Sequence, residues 1–468
     1  MAASPNAPIL ALDLGTTSAK ALLVAHDGRV LARAEEPIAT RSPSPGIAEQ
    51  DADAALEAAR RALAALAPAC EGRPRALALA CAMHGVVQID AADRALAPLR
   101  IWADVRGEDC ARELRASGEA SALHERTGTP VHASSPLCKL AAWRREDAAL
   151  AARAAAFVSL KELFLRRACG APRIDVSLAS ATGLMDLRRA QWDPRALAIA
   201  GLAPSQLSQI VPTRQLVTDW RAGLAASFGL DARTPIVIGA SDGCLANLGL
   251  AALQPGLAAA SFGTSAALRA AITAPRADAA RGLFCYALDE GVWIQGAATN
   301  DAGNLVAWCA ELCFAELPPA QRVEALLAAA ARSPDGARGL RCTPAFAGTR
   351  FPEYDATPHG AFAGLSLAHG RDDLSRAVLE AIAAQIGGIA AALRASGTPC
   401  ARVRAGGGLA RSAEFRAILA PRIGADLEPV DDERARDATA CGAAALARAA
   451  LDGTALPGLA TLPRSSPP

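Results

Sequence analysis

Apolar and polar positions divide the chain into short apolar runs and longer stretches of helical period. Ile9 to Asp13 is apolar until it stops at an aspartate, the pattern of a buried strand, and a polar turn, Leu14 to Ser18, follows. Ala21–Ala25 and Val30–Ala34 read as two more strands around Asp27-Gly28, a dipeptide that favours hairpins. Asp51–Leu66 reads as a helix, with Asp51 and Asp53 at its positive end and Leu56, Leu63 and Leu66 on one face. Ala76–Ala82 and Val86–Asp90 are strands flanking Met83-His84-Gly85. Short helical pieces run from Arg106 to Gly170 and again from Asp193 to Leu230. Between them Asp175–Asp186 is so polar and small that it reads as a loop.

A second series begins at Pro235-Ile-Val-Ile238, a strand that ends in the turn Gly239-Ala-Ser-Asp242-Gly243 and leads into a helix, Cys244–Leu253. Ala258–Leu268 is strand, turn, strand, and Val292–Gln295 is another strand. Helices follow at Leu305–Cys313, Leu374–Leu393, Glu414–Leu419 and Asp437–Ala450, with a strand at Ala401–Ala405 opening into Gly406-Gly407-Gly408. One pattern occurs twice. Asp13-Leu-Gly15-Thr16-Thr17-Ser18 in the first half is echoed by Ser261-Phe-Gly263-Thr264-Ser265 in the second, each a Gly-Thr turn between apolar runs. The echo and the length of 468 residues predict two α/β domains of similar build, residues 1–234 and 235–468, facing a central cleft.

Composition narrows the function. Hydrophobic residues make up 52% of the chain and its formal net charge is +1, without a dense basic patch, so neither nucleic acid nor an anionic membrane surface is an expected partner. The most apolar tract, Leu248–Ala274, is broken by Pro255, Gly256, Gly263 and Arg269, and is a poor membrane span. Twelve scattered cysteines with no CxxC pair, and six histidines with no HExxH, do not predict a structural or catalytic zinc. Reduced thiols and an N-terminus without a basic leader point to the cytoplasm; the tail Pro463–Pro468 is expected to fray. A homodimer is compatible with all of this.

The candidate chemistry gathers at the turns. A Gly-Thr turn can aim backbone N–H groups and hydroxyls at a phosphate. No lysine follows a glycine, which excludes a P-loop, and no GxGxxG follows a strand. Asp13 can hold Mg²⁺ through water; Lys20 either reaches a phosphoryl group or faces solvent on its strand. Asp242 either caps the next helix or serves as a general base in a cleft.

Longer segments resemble the FGGY family of carbohydrate kinases, whose fold is that of the actin-like, ribonuclease H-like ATPases. Gly360-Ala-Phe362-Ala-Gly364-Leu365, with Asp373-Leu374 and Ala377-Val-Leu-Glu380, is similar to the family's C-terminal signature. Ser134-Ser135-Pro136-Leu-Cys-Lys139-Leu140 is similar to the other signature, with one extra residue before Trp143. Gly348-Thr349-Arg350 stands where Gly-Glu-Arg is usual. Within the family, Arg126–His132, Asp175–Gly183, Ile238–Gly249 and Phe284–Leu288 are most like gluconokinases, whereas Met83-His84-Gly85 is closer to xylulokinases and Asn300-Asp301 replaces Asn-Asn.

The resemblance implies an ATP- and Mg²⁺-dependent kinase for a small sugar or sugar acid, D-gluconate first, with the 6-hydroxyl as acceptor. It implies that Asp13, Gly15, Thr16, Thr17 and Lys20 bind Mg²⁺ and the terminal phosphates, and that Gly263 and Thr264 hold them from the other domain. Gly406, Gly407 and Gly408 would admit the nucleoside, with Ser412 nearby, and Asp242 would deprotonate the sugar hydroxyl. Met83, His84, Trp102, Asp104, Arg106, Asp175 and Asn300 are the candidates for the sugar pocket.

Physical chemistry agrees in kind: a polyol needs fixed hydrogen-bonding groups, and an aldonate carboxylate needs a cation, for which Arg106 is the candidate. Each residue has a plainer alternative. His84 can be a satisfied loop histidine, Trp102 a core residue, and Arg106 a partner of Glu108 or Asp109. An actin-like ATPase without a sugar substrate and a degenerate, binding-only kinase are the competing functions.

Overall fold

A computed structural model describes residues 4–70 and 73–458; the tail at 463–468 lies outside them. Two six-stranded sheets organise the chain. The first runs in the order Leu216–Val217, Ile236–Ser241, Ala76–Cys81, Ile9–Leu14, Ser18–Val24, Val30–Pro37. The second runs Asp426–Pro429, Arg402–Gly407, Leu257–Phe262, Ala266–Ile272, Val292–Thr299, Phe284–Asp289. Five strands of each correspond. A central strand pairs in parallel with one neighbour, which pairs in parallel with the next, and on the other side two antiparallel strands complete the unit. The central strands, Ile9–Leu14 and Leu257–Phe262, are covered on both faces and are accordingly apolar throughout, apart from Asp13 and Ser261.

The echoed turns lie at the same place in both units, joining the central strand to its antiparallel neighbour. Gly15 N–H donates to the Ser18 carbonyl at 3.1 Å, and Gly263 N–H donates to the Ser265 carbonyl at 2.9 Å. A shared topology brings both Gly-Thr turns to the cleft, which is the two-domain arrangement the repeated pattern predicts.

The strand Ile236–Ser241 corrects the expected division at 234/235. It pairs with Ala76–Cys81 in the first sheet, Ile236 beside Leu77 and Ser241 beside Cys81, so the first unit includes it and the helix after it. A short apolar run carries no mark of which sheet it will join, and here more than a hundred residues separate the paired strands. Midway along, the register shifts between Val237 and Ala240, and Gly239 takes φ +74° there. A Cβ at that position would run into the Leu79 backbone. Asp175–Asp186, expected as loop, instead holds the end of a strand (Arg173–Asp175), a helix (Val176–Ser180) and another short strand (Met185–Asp186).

Helices cover each sheet. Ala52–Leu66 starts where Asp51 accepts from the Asp53 and Ala54 N–H groups, and it packs Ala55, Ala59 and Leu63 into the first core. Arg371–Ala395 is apolar and long enough to span a membrane by composition. In this protein its Ile382, Ile386, Ile389 and Leu393 are buried in the second core.

The last parallel strand of each unit is followed by a helix, Asp242–Gly249 in the first and Asp432–Asp452 in the second, and these two helices pack together between the sheets. Glycines make the contact close. A Cβ on Gly442 would lie 2.8 Å from the Leu245 carbonyl carbon and 3.1 Å from Gly249 N; one on Gly249 would lie 2.7 Å from the Ala438 carbonyl carbon. In an exposed helix Gly→Ala stabilises by about 1 kcal/mol. Here overpacking reverses the sign: Gly442→Ala is expected to destabilise by about 1–3 kcal/mol, measured by urea denaturation.

Candidate active site

Asp242 is the first residue of its helix, not the cap; Ser241 occupies the cap position, and its hydroxyl is hydrogen-bonded to that of Ser177 at 2.8 Å. The Asp242 carboxylate Oδ1 accepts from Gly243 N–H at 2.8 Å and Met83 N–H at 3.3 Å. Burial raises its pKa, opposed by Arg269, those two N–H groups and Arg350. The residue stands between two cavities. One, of about 190 Å³, is lined by Met83, His84, Trp102, Thr129, His132, Ser134, Phe284, Tyr286, Arg350 and Tyr354 among others; the other, of about 280 Å³, by Gly263, Gly406 and Gly407 with the start of the Asp242 helix.

In the first cavity the imidazoles are neutral. Burial, with Arg350 next, pushes both His84 and His132 down to about 3. His84 Nδ1–H donates to the Ala181 carbonyl at 2.9 Å, which leaves Nε2 as an acceptor; His132 Nδ1 accepts from Ser134 N–H at 3.1 Å. Trp102 spans the two sides, donating from Nε1 to Thr16 Oγ1 at 3.4 Å while the Arg350 guanidinium lies 4.7 Å from its ring centroid. Lys139, fully buried, ties the walls together: its Nζ donates to the His84 carbonyl at 2.8 Å and the Ile101 carbonyl at 2.6 Å. The extra residue before Trp143 puts Lys139 and Trp143 one turn apart on the helix Pro136–Glu146, and Trp143 packs beneath Arg100.

The structure brings Met83, His84, Trp102 and Asp242 to this cavity and takes four other candidates away from it. Asp104 is fully buried, accepts from Ala48 N–H at 3.0 Å and pairs with Arg106 at 2.6 Å. Arg106 also pairs with Glu49, so its fork is engaged, though not by the Glu108 or Asp109 of the plainer reading. Asp175 is buried against Lys161 at 2.6 Å and caps its helix by accepting from Leu178 N–H. Asn300 lies outside the lining, donating to the Ala347 carbonyl at 2.8 Å. Polar side chains near a turn looked alike in sequence; long-range pairing decides which are free.

Several lining residues were not singled out: Thr129, His132, Ser134, Phe284, Tyr286, Tyr354, Arg269 and Arg350. One signal was available. The chain has only two tyrosines, and both are here. Thr349, which replaces the usual glutamate, donates its N–H to the Asp355 carbonyl at 2.6 Å and is buried, while the next residue, Arg350, enters the cavity.

On the other side, Asp13 ends the first central strand with Oδ1 buried and without a hydrogen-bond partner. Burial, then Asp242 and Glu35, raise its pKa to about 7 against the pull of Lys20. Lys20 Nζ donates to the Arg436 carbonyl at 3.0 Å, reaching the helix Asp432–Asp452. Thr17 is exposed, and Gly15 shapes its turn. Gly407 has φ +103°, and a Cβ there would meet the Phe262 backbone nitrogen at 3.0 Å. Gly263, Thr264, Gly408 and Ser412 line a larger groove of about 970 Å³; the Ser412 hydroxyl caps the next helix, accepting from Phe415 N–H at 3.1 Å.

Two cavities of different lining, one rich in hydroxyls and imidazoles and one in glycines, thus meet at one carboxylate. Known proteins are similar to this chain over most of its length. The profile of the FGGY family of carbohydrate kinases, N-terminal domain, matches residues 8–249, and that of the C-terminal domain matches residues 258–451. A gluconokinase of Bacillus licheniformis is 34% identical over 420 residues, covering 88% of this chain and 82% of that protein. Structures of a gluconate kinase and of a ligand-bound xylulose kinase from Lactobacillus acidophilus both superpose with TM-score 0.88 at 26% identity, over 96% of this chain and 90% of theirs. The chain belongs to the FGGY family of carbohydrate kinases.

Proposed function

We propose that this kinase transfers the γ-phosphoryl group of ATP to the 6-hydroxyl of D-gluconate. The observation that carries the choice of an acidic sugar is Arg350. Its guanidinium is held on the cavity wall by Trp102, and among the described residues it forms no ion pair. An anionic end of a substrate is the natural complement of such a group, since an arginine fork binds a carboxylate bidentately. Neutral His84 and His132, with the tyrosine and serine hydroxyls, supply the donors and acceptors a polyol needs. The likeness to gluconokinases in sequence supports the same reading.

Asp242 acts as the general base in this proposal, taking the proton of the attacking hydroxyl. Its position at the boundary of both cavities supports that role. The residues fit ATP and Mg²⁺. The unpartnered Asp13 Oδ1 is a hard oxygen donor, and Gly407, at φ +103° and packed against the Phe262 backbone, turns the chain at the mouth of the glycine-lined cavity, where a side chain would not be tolerated. Asp13 would hold the ion through water, with Gly15, Thr16, Thr17 and Lys20 on one side of the phosphates, Gly263 and Thr264 on the other, and Gly406, Gly407, Gly408 and Ser412 toward the nucleoside. When bound, the ion neutralises phosphate charge.

An ADP-release assay across D-gluconate, xylulose, ribulose, fuculose and glycerol tests the reading. D-gluconate should stimulate turnover most, and Asp242→Asn should abolish it while ATP binding persists. Arg350→Met should raise KM for D-gluconate by about 10- to 100-fold and leave xylulose turnover nearly unchanged. Stimulation by xylulose alone overturns the choice of sugar; no stimulation by any polyol favours an ATPase.

A second prediction concerns Asp13. Its carboxyl titrates near 3.8 when exposed and at about 7 when folded, so the folded state binds more protons between those values. Stability of the ligand-free protein therefore falls as pH rises from about 4 through about 7. Asp13→Asn should flatten that dependence and raise the melting temperature at pH 8, while kinase activity is lost. A melting temperature that drops at pH 8 contradicts the buried-carboxylate account.

A further inference from the structure

Only two residues line both the sugar-side cavity and the phosphate-side cavity among the described residues: Asp242 and Arg269. Arg269 lies on the strand Ala266–Ile272, directly after the second Gly-Thr turn, and is the one residue of that strand not fully buried. Its surroundings make room for it. A Cβ on Gly243 would lie 3.2 Å from the Arg269 Nε and 3.3 Å from Nη2, and one on Gly296, in the neighbouring strand, would lie 3.2 Å from its Cγ. Glycine at these two positions leaves space for the guanidinium and its stem.

The placement is electrostatically unfavourable by itself. Gly243 is in the first turn of the Asp242 helix, so the guanidinium rests on a helix N-terminus, the end that repels cations. It donates one long hydrogen bond, to Ser261 Oγ at 3.3 Å, and forms no ion pair among the described residues. Desolvating a guanidinium with so little return is expensive. The anionic side chain that faces it is Asp242, which is also its largest electrostatic support.

That support is consumed in the reaction. As the hydroxyl oxygen bonds to the phosphorus and the bond to ADP breaks, the electron pair leaves on the ADP oxygen and the hydroxyl proton passes to Asp242. The negative charge beside Arg269 is then carried by the phosphoryl group in flight. We infer that Arg269 is a catalytic residue that contacts the transferring phosphoryl group at the junction of the two cavities and stabilises its charge in the transition state. A cation fixed there in advance favours the transition state over bound substrates, because its partner changes from carboxylate to phosphoryl. The inference rests on the kinase reading and is separate from the carboxylate role given to Arg350.

The test compares Arg269→Met and Arg269→Lys with the wild type. For Arg269→Met, kcat should fall by about 10³-fold while KM for both substrates stays within about 3-fold, and lysine should recover part of the rate. Binding of ADP–aluminium fluoride in the presence of D-gluconate, measured by calorimetry, should weaken by a comparable factor, while ATP alone binds as before. The melting temperature of Arg269→Met should not fall, since a poorly compensated, partly buried charge is removed. Gly243→Ala, which crowds the guanidinium and keeps its charge, should also lower kcat. Three results overturn the inference. A rise in KM for D-gluconate with kcat intact makes Arg269 a substrate anchor. Recovery of the Arg269→Met rate at alkaline pH makes it only a means of keeping Asp242 ionised. Unchanged analogue binding removes the phosphoryl contact. Failure of the kinase reading is distinct: the wild type itself then releases no ADP with any polyol.

Discussion

The close packing of the helices Asp242–Gly249 and Asp432–Asp452 is the constraint on which the rest depends. Gly249 and Gly442 let the two backbones approach to a distance that any side chain would prevent. Each helix follows the last parallel strand of its sheet, so their contact fixes how the two sheets face one another. The first helix begins with Asp242, and the second accepts Lys20 through the Arg436 carbonyl. A single helix pair therefore sets Asp242, the first Gly-Thr turn and the second domain in register. Glycine in a helix interior is unfavourable on its own, so its use at this contact reflects the geometry it permits.

Charge is distributed around that frame with little cancellation. Asp13 and Asp242 are partly buried, and Asp242 raises the cost of ionising Asp13, while the partly buried Arg269 and Arg350 lower it for Asp242. Lys139, burdened chiefly by its own burial, is pushed down to about 7 and spends its donors on the carbonyls of His84 and Ile101. Elsewhere in the protein, arginines and carboxylates pair directly, as Arg106 does with Asp104 and Arg214 with Asp289. The contrast separates structural charges from those facing the cavities: the first are satisfied within the fold, and the second are compensated only at a distance.

Much of the architecture was legible because it is periodic or repeated. The duplicated Gly-Thr turn announced two equivalent units, and both turns occupy the predicted place beside their central strands. The failures have a common cause. Ile236–Ser241 was separated from its sheet because strand partners distant in sequence leave no local trace. Asp104, Arg106 and Asp175 were read as polar residues near a cleft, and the structure uses them as internal ion pairs; whether a charge is spent internally depends on residues such as Glu49 and Lys161 that lie far away in the chain. Arg269 was visible only as an interruption in an apolar tract. That interruption was the signal, since an arginine inside a strand buried on both sides must have a polar space to enter.

Asp242 and Arg269 are then best understood as one unit. The carboxylate needs a positive neighbour to stay ionised in a buried site, and the guanidinium needs a negative one to tolerate the helix N-terminus beneath it. Each condition is met before reaction by the other residue. In the proposed reaction, proton transfer to Asp242 would break this mutual compensation just as phosphoryl charge developed at the same junction, so the pair could exchange an internal partner for the reacting group without moving. On that proposal, a neutral side chain in place of Arg269 would make the resting site less strained electrostatically and leave the developing charge unanswered, so an unfavourable placement of the guanidinium would be kept for chemistry.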